Sequence, residues 1–187
     1  MKFILASKSP RRKELLKKIG FKFKVLDSKI DESIISKKNT PHNYSMQLAN
    51  LKAESISRNY PEYTVIGADT IVVINKTILN KPENIKQAKE MLGLLSGNDH
   101  KVITGVSLKN KSLRIDESFY DTSFIKFYKL SEKEINHYVT VYKPFDKAGS
   151  YGIQDYASLF VREIRGSYDN IVGFPISKFY QILKKYI

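Results

Sequence analysis

Residues 6–12, Ala-Ser-Lys-Ser-Pro-Arg-Arg, gather two hydroxyls, one ammonium and two guanidinium groups into a single short stretch. All of these are donors suited to phosphate oxygens. Ser9 followed by Pro10 is a helix start, and a helix N-terminus adds free N–H groups and the positive end of a dipole. The stretch therefore fits a phosphate cradle drawing on Ser7, Lys8, Arg11 and Arg12, although the Walker spacing G-x-x-x-x-G-K-[ST] is absent. It fits equally a plain helix entry in which Ser9 caps and the arginines face water.

A second stretch, Gly67-Ala68-Asp69-Thr70, sets a carboxylate directly after an apolar run. A carboxylate at the end of a buried strand demands a partner. At the carboxyl edge of a sheet it can bind Mg2+ or take a proton from water, or it can simply close a turn. Asp31-Glu32 adds an acidic pair in a polar segment, and Lys52 and Lys81 carry no local mark among 26 lysines. Residues 146–154, Asp-Lys-Ala-Gly-Ser-Tyr-Gly-Ile-Gln, combine small residues for close backbone approach with a charged pair and the Gln154 amide. That amide can read a base edge or a ribose. The same segment also suits a structural turn with left-handed glycines. His42, His100 and His137 stand far apart, which argues against a histidine zinc site and suggests surface or capping places. Without cysteine, disulfides, thiolate metal sites and a cysteine nucleophile are excluded.

The elements that must position these groups follow from pattern. Lys2–Ala6 reads as a short buried strand, and Leu15, Leu16 and Ile19 mark one face of a helix entered at Ser9-Pro10 and left at Gly20. Phe21–Leu26 alternates as a strand, Asp27–Asn39 as a loop. Thr40-Pro41 opens a helix carrying Tyr44, Leu48, Leu51 and Ile56. Thr64–Ala68 reads as a central strand stopping at Asp69, followed by extended Thr70–Asn75 and a hairpin at Asn75-Lys76 into Thr77–Leu79. Asn84 caps a helix through Leu95, ended by Gly97. Val102–Leu108 and Leu113–Tyr128 have strand composition, and Ser131 with Glu134 forms a capping box for a helix to Tyr142. Residues 144–156 read as loop, Ser158–Ile164 as a strand and Pro175–Tyr186 as a terminal helix. This mixture of βαβ units and hairpins predicts an α/β fold around one mixed twisted sheet with flanking helices. No position demands a boundary, so residues 1–187 are expected to form a single domain.

With 42% hydrophobic and 27% charged residues, the chain can offset the entropy of ordering and is not a disordered polymer. No apolar run is long enough for a membrane span, and charge follows Phe3–Ala6 too soon for a signal peptide, so a cytoplasmic location is expected. The net charge is +13, and residues 1–60 hold 14 Lys and Arg against 5 Asp and Glu. A clustered excess suits an anionic partner. Lysine outnumbers arginine 26 to 6, however, as in AT-rich coding, so most lysines fit a solvated surface. Such a bias disfavours arginine, which makes the Arg11-Arg12 pair the more informative cations.

Taken together, the stretch Ser7–Leu16 resembles the opening signature of the Maf family of nucleoside triphosphate pyrophosphatases. Gly67–Thr70, Lys81-Pro82, Leu95-Ser96-Gly97, residues 146–154 and Gly166–Pro175 resemble its later signatures in order and spacing. The resemblance spans essentially the whole chain. It implies hydrolysis of a nucleoside triphosphate at the α–β bond, a divalent cation (Mg2+ or Mn2+), and frequent homodimers. It also implies an elongated two-lobed Maf/ITPase-like fold with a central cleft. By position it makes Asp69 the general base and Glu32 with Asp69 the acidic, metal-binding pair. It places Ser7, Arg11, Arg12, Lys52 and Lys81 around the triphosphate, and ties Arg11, Thr70 and Gln154 to substrate choice. The wording at residues 9–12, 67–70 and 151–154 resembles the branch acting on dTTP and UTP. Ser150, Asp155 and Ala157 depart from the family pattern, and an inward-turned Asp155 would add an acceptor beside Gln154. The alternative function is a nucleotide- or nucleic-acid-binding regulator of cell division without turnover. It leaves Glu32 and Asp69 unexplained, and no ordered basic-aromatic motif supports specific nucleic-acid binding. No membrane partner is expected.

Overall fold

The structure is a computed structural model that describes residues 1–36 and 39–187. Among the described residues seven strands form one sheet, in the order β2 (Phe23–Val25), β1 (Lys2–Leu5), β3 (Tyr63–Ile74), β5 (Asp99–Asn110), β6 (Ile115–Phe127) and β7 (Val161–Arg165), with β4 (Thr77–Leu79) alongside β3. The chain divides into two compact units. The first comprises residues 1–70, 104–121 and 173–187, the second residues 71–103 and 122–172.

In the first unit, β1 (Lys2–Leu5) lies parallel to β2 (Phe23–Val25) and to β3 (Tyr63–Ile74), pairing Leu5 with Val25 and with Ile66. Helix α1 (Pro10–Lys18) connects β1 to β2 as a crossover, which parallel pairing requires. Ser9 caps it by accepting from the Arg12 N–H, Pro10 fills the first turn, and Leu15 and Leu16 face the core. Helix α2 (Pro41–Ser57) starts the same way at Thr40 and buries Tyr44, Leu48, Ala49 and Ala53. Two glycines let α2 lie close against the strands. A Cβ on Gly67 would stand 2.1 Å from the Ala49 carbonyl oxygen, and one on Gly105 2.4 Å from the Ser45 carbonyl oxygen. A ring cluster, Phe3, Phe21, Phe179 and Phe174, fastens α6 (Ile176–Leu183) to this unit.

In the second unit, residues Asn75 and Lys76 both take positive φ, the two-residue turn that matches strand twist, so β3 returns as β4. Asn84 caps α3 (Ile85–Leu95), and Ser131 with Glu134 forms the expected capping box on α4 (Glu132–Tyr142). Strands β5 (Asp99–Asn110) and β6 (Ile115–Phe127) belong to both units, and β7 (Val161–Arg165) pairs antiparallel with β6. Phe127, Tyr138, Phe160, Leu92 and Leu95 fill the core of this unit.

Several expectations need correction. Strand β3 does not stop at Asp69 but runs on to Ile74, because Asp69 has a buried partner that lets it sit within a strand. Residues expected at the start of the last strand instead form a 3-10 helix, Tyr156–Phe160, capped by the Asp155 carboxylate. The C-terminal helix is shorter than predicted, and a five-residue helix α5 (Tyr168–Val172) precedes it. The predicted loop 27–39 contains a 3-10 turn at Glu32–Ile34 capped by Asp31, while Lys37 and Lys38 lie outside the described residues. His100 is buried rather than superficial, with Nε2 2.8 Å from the Tyr151 hydroxyl.

Candidate active site

The first unit brings together Ser7, Arg11, Arg12, Glu32, Lys52, Asp69 and Thr70. Its geometry starts from a helix packed on a strand. Gly67 and Asp69 are two residues apart on β3 and so share a face. Ala49, Lys52 and Ala53 share a face of α2 in the same way. The close approach at Gly67 therefore lays Lys52 along Asp69. The Lys52 Nζ donates to Asp69 Oδ1 at 2.6 Å and meets Glu32 Oε1 at 2.7 Å. Lys52 and Asp69 are buried, while Glu32 reaches in from the exposed 3-10 turn. Two carboxylates thus converge on one cation, and Asp69 Oδ2 makes no hydrogen bond among the described residues.

The opposite face of β3 carries Thr70, which anchors the arginine site. Arg12 Nη2 donates to Thr70 Oγ1 (2.9 Å), Nη1 to Ser7 Oγ (3.1 Å) and Nε to the Gly173 carbonyl (2.9 Å). Thr70 Oγ1 also lies 2.9 Å from Thr104 Oγ1 and 3.3 Å from the Gly173 carbonyl, so its hydroxyl is committed to protein partners. Ser7 Oγ accepts from Arg12 and from the Ser9 N–H, which occupies both lone pairs and leaves its proton to donate. Burial pulls the Arg12 pKa below its ordinary value. Asp69 and Glu32 oppose that shift and Arg11 adds to it.

Arg11 and Arg12 occupy the second and third positions of α1, and no acidic residue stands in that turn. Cations at this end of a helix oppose its dipole. Asp69 and Glu32 offset part of that opposition at Arg12, and an anion at the helix end would offset more. The Ser7 hydroxyl proton and the guanidinium groups are donors of the kind that phosphate oxygens accept.

Glu32 and Asp69 offer hard oxygen donors that already share one cation. Among the described residues no group of three or more His, Cys, Asp or Glu gathers. Two carboxylates with substrate phosphates and water completing the shell are a usual arrangement for Mg2+, so this donor set fits such an ion.

Lys81 and Gln154 belong to the second unit and are exposed there, Lys81 after β4 and Gln154 in the turn Gly152–Asp155. Asp155 does not offer an open carboxylate beside Gln154. Its Oδ1 accepts from the Tyr138 hydroxyl and the Ala157 N–H, and its Oδ2 lies 3.8 Å from Lys147 Nζ. Sequence reasoning missed Thr104, whose only signal is a hydroxyl beside Gly105 in an apolar strand. It also missed the Gly173 carbonyl, which is aimed at Arg12 by a backbone with φ of 125° that suits glycine alone.

The fold is that of an α/β protein, and its first unit sets hydroxyl and guanidinium donors beside paired carboxylates. The chain belongs to the Maf-like protein family, which matches residues 2–186. It is 48% identical over 186 residues to the dTTP/UTP pyrophosphatase of Clostridioides difficile (strain 630), covering all of this chain and 95% of that protein. It is 46% identical over 185 residues to the dTTP/UTP pyrophosphatase of Bacillus thuringiensis subsp. konkukian, covering 99% of this chain and 95% of that protein. Among solved structures, the Ham1 protein of Staphylococcus aureus superposes with a TM-score of 0.53 at 12% identity over both whole chains, a likeness of fold.

Proposed function

We propose that this protein hydrolyses nucleoside triphosphates, dTTP and UTP in preference, to the nucleoside monophosphate and pyrophosphate. The observation that carries the proposal is the Glu32–Lys52–Asp69 cluster set beside the Ser7–Arg12–Thr70 anchor. The names of the full-length relatives support the same reaction and substrates.

In this mechanism Ser7, Arg11, Arg12 and Lys52 hold the triphosphate, and Lys81 contributes a further cation. Fixed cations stabilise the charge that develops on a departing pyrophosphate, and removing one such group typically lowers turnover about 10²- to 10³-fold. Asp69 orients a water through its unengaged Oδ2 and takes its proton. The water oxygen bonds to the α-phosphorus as the bond to the bridging α–β oxygen breaks, and pyrophosphate leaves with that electron pair. Lys52 ties Asp69 to Glu32, so both carboxylates keep their place. Glu32 and Asp69 would hold Mg2+ or Mn2+, which when bound neutralises phosphate charge. Thr70 acts through Arg12. Gln154 reads the base: thymine and uracil present two carbonyl oxygens flanking an N–H, and one amide supplies both a donor and an acceptor. Arg11 supplies a further donor toward substrate.

The family match over almost all of the sequence supports residues 1–187 acting as one domain. Family resemblance supports a cytoplasmic homodimer acting on free nucleotides, with no specific nucleic acid and no membrane partner. Among the described residues no helix is long and apolar enough to cross a membrane.

The test is chromatographic product analysis with Mg2+ or Mn2+ across the common triphosphates. Equal amounts of monophosphate and pyrophosphate, with kcat/KM highest for dTTP and UTP, are expected. Nucleoside diphosphate and orthophosphate as first products would overturn the reaction, and a purine preference would overturn the substrate assignment alone.

A further inference from the structure

Gln154 sits in a turn closed by the Asp155 N–H donating to the Gly152 carbonyl at 3.2 Å. Both ends of this turn meet one phenol. The Gly152 N–H donates to Tyr138 Oη (3.1 Å), and the Tyr138 hydroxyl donates to Asp155 Oδ1 (3.0 Å). The same Oδ1 accepts from the Ala157 N–H (3.1 Å), and Lys147 Nζ lies 3.8 Å from Oδ2 and 2.8 Å from Asp146 Oδ1. Tyr138 is fully buried on α4, with its ring 5.3 Å from that of Phe160 and stacked on Tyr142 at 5.3 Å. Burial raises the Tyr138 pKa far above its ordinary value, so the phenol keeps its proton and remains a donor. Gln154, by contrast, is exposed, and no hydrogen bond among the described residues engages its amide.

A free amide on a turn of this kind has several rotamers and needs a rigid backbone to select one hydrogen-bonding pattern. We infer that Tyr138 and Asp155 form a clasp that fixes the Gly152–Asp155 turn, and that both are positioning residues for discrimination by Gln154. This rests on the reading above that Gln154 contacts the base. Asp155, a departure from the family pattern, thereby gains a role opposite to that of a competing acceptor. It restrains the reader without joining it.

The experiment measures kcat and KM for dTTP and dCTP in Tyr138→Phe, Asp155→Ala, Asp155→Asn, Gln154→Ala and the double variant Gln154→Ala/Asp155→Ala, with thermal melts alongside. Tyr138→Phe and Asp155→Ala are expected to lower the dTTP:dCTP ratio of kcat/KM about tenfold, mainly through KM for dTTP. Asp155→Asn keeps an oxygen for Tyr138 and Ala157, and should retain most of the ratio. In the Gln154→Ala background the Asp155→Ala effect on the ratio should vanish, because the two act in series. A merely structural role would shift melting temperature without moving the ratio. A lost ratio in Gln154→Ala with a wild-type ratio in folded Tyr138→Phe and Asp155→Ala overturns the clasp and leaves Gln154 as reader. A wild-type ratio in Gln154→Ala overturns both. If Asp155→Ala fails to fold, Asp155→Asn and Tyr138→Phe decide, and equal ratios in those two overturn the clasp.

Discussion

At the scale of single residues, the site is defined by which polar groups are already satisfied and which are not. Lys52 spends its charge on Glu32 and Asp69, Thr70 spends its hydroxyl on its neighbours, and Ser7 accepts twice. Ser7 keeps a hydroxyl proton to donate, and Asp69 keeps Oδ2 beside the oxygen that Lys52 holds. Asp69→Asn is expected to lower kcat at least about 10²-fold if the carboxylate handles the water. Triphosphate affinity should persist, because the cations stay and a negative charge is removed. Steady-state kinetics with calorimetric titration checks both, and near-normal turnover removes Asp69 from the mechanism. Glu32 and Asp69 drew their roles from family resemblance, but the arginine pair stood out in the sequence because a lysine-rich composition disfavours arginine. The Lys52–Asp69 pair did not, since it joins positions 17 residues apart and nothing local distinguishes Lys52 from other lysines. Its role came only through family resemblance. Thr104 lacked even that.

At the scale of elements, the site depends on how closely α2 packs on β3. Gly67→Ala would press a methyl group into the Ala49 and Ala53 backbone, which the flexible end of no side chain can relieve. It should destabilise the fold by about 1–3 kcal/mol or more and depress turnover by moving Lys52 from Asp69. Gly93→Ala on α3 is the matched control: its new Cβ meets nothing within 4 Å, so stability should rise by about 0.5–1 kcal/mol. Urea denaturation of the two variants measures the contrast. Element starts were legible wherever a cap and proline stand together, as at Ser9-Pro10 and Thr40-Pro41, because that chemistry is local. The 3-10 helix after Asp155 was not, because apolar residues Ala157, Leu159 and Phe160 suit either state and the deciding cap depends on a tyrosine in α4. His100 was likewise misplaced, for only the tertiary partners Tyr151 and Phe127 reveal its burial. Burial lowers its pKa to about 4, partly offset by the Asn98 backbone and Asp99. Between that value and 6.5 the unfolded chain binds the proton and the folded chain does not, so stability rises with pH across this window. It should be fully present above 6.5 and fall by about 3 kcal/mol toward pH 4. Denaturation curves of wild type and His100→Gln should differ in this slope. Identical slopes would contradict the buried neutral imidazole.

At the scale of the whole molecule, a net charge of +13 suits polyanions in general, so charge alone does not choose between nucleotide turnover and binding. The choice comes from two carboxylates placed within a cationic surrounding, where they would only weaken a passive phosphate site. They make sense if water is to be activated beside the bound phosphates. The proposed step is attack by water on the α-phosphorus, and hydrolysis of dTTP in 18O-labelled water shows which phosphorus receives the new oxygen. Mass spectrometry should find one labelled oxygen in the thymidine monophosphate and none in the pyrophosphate. Label in the pyrophosphate would place the attack at the β-phosphorus and overturn the proposed mechanism.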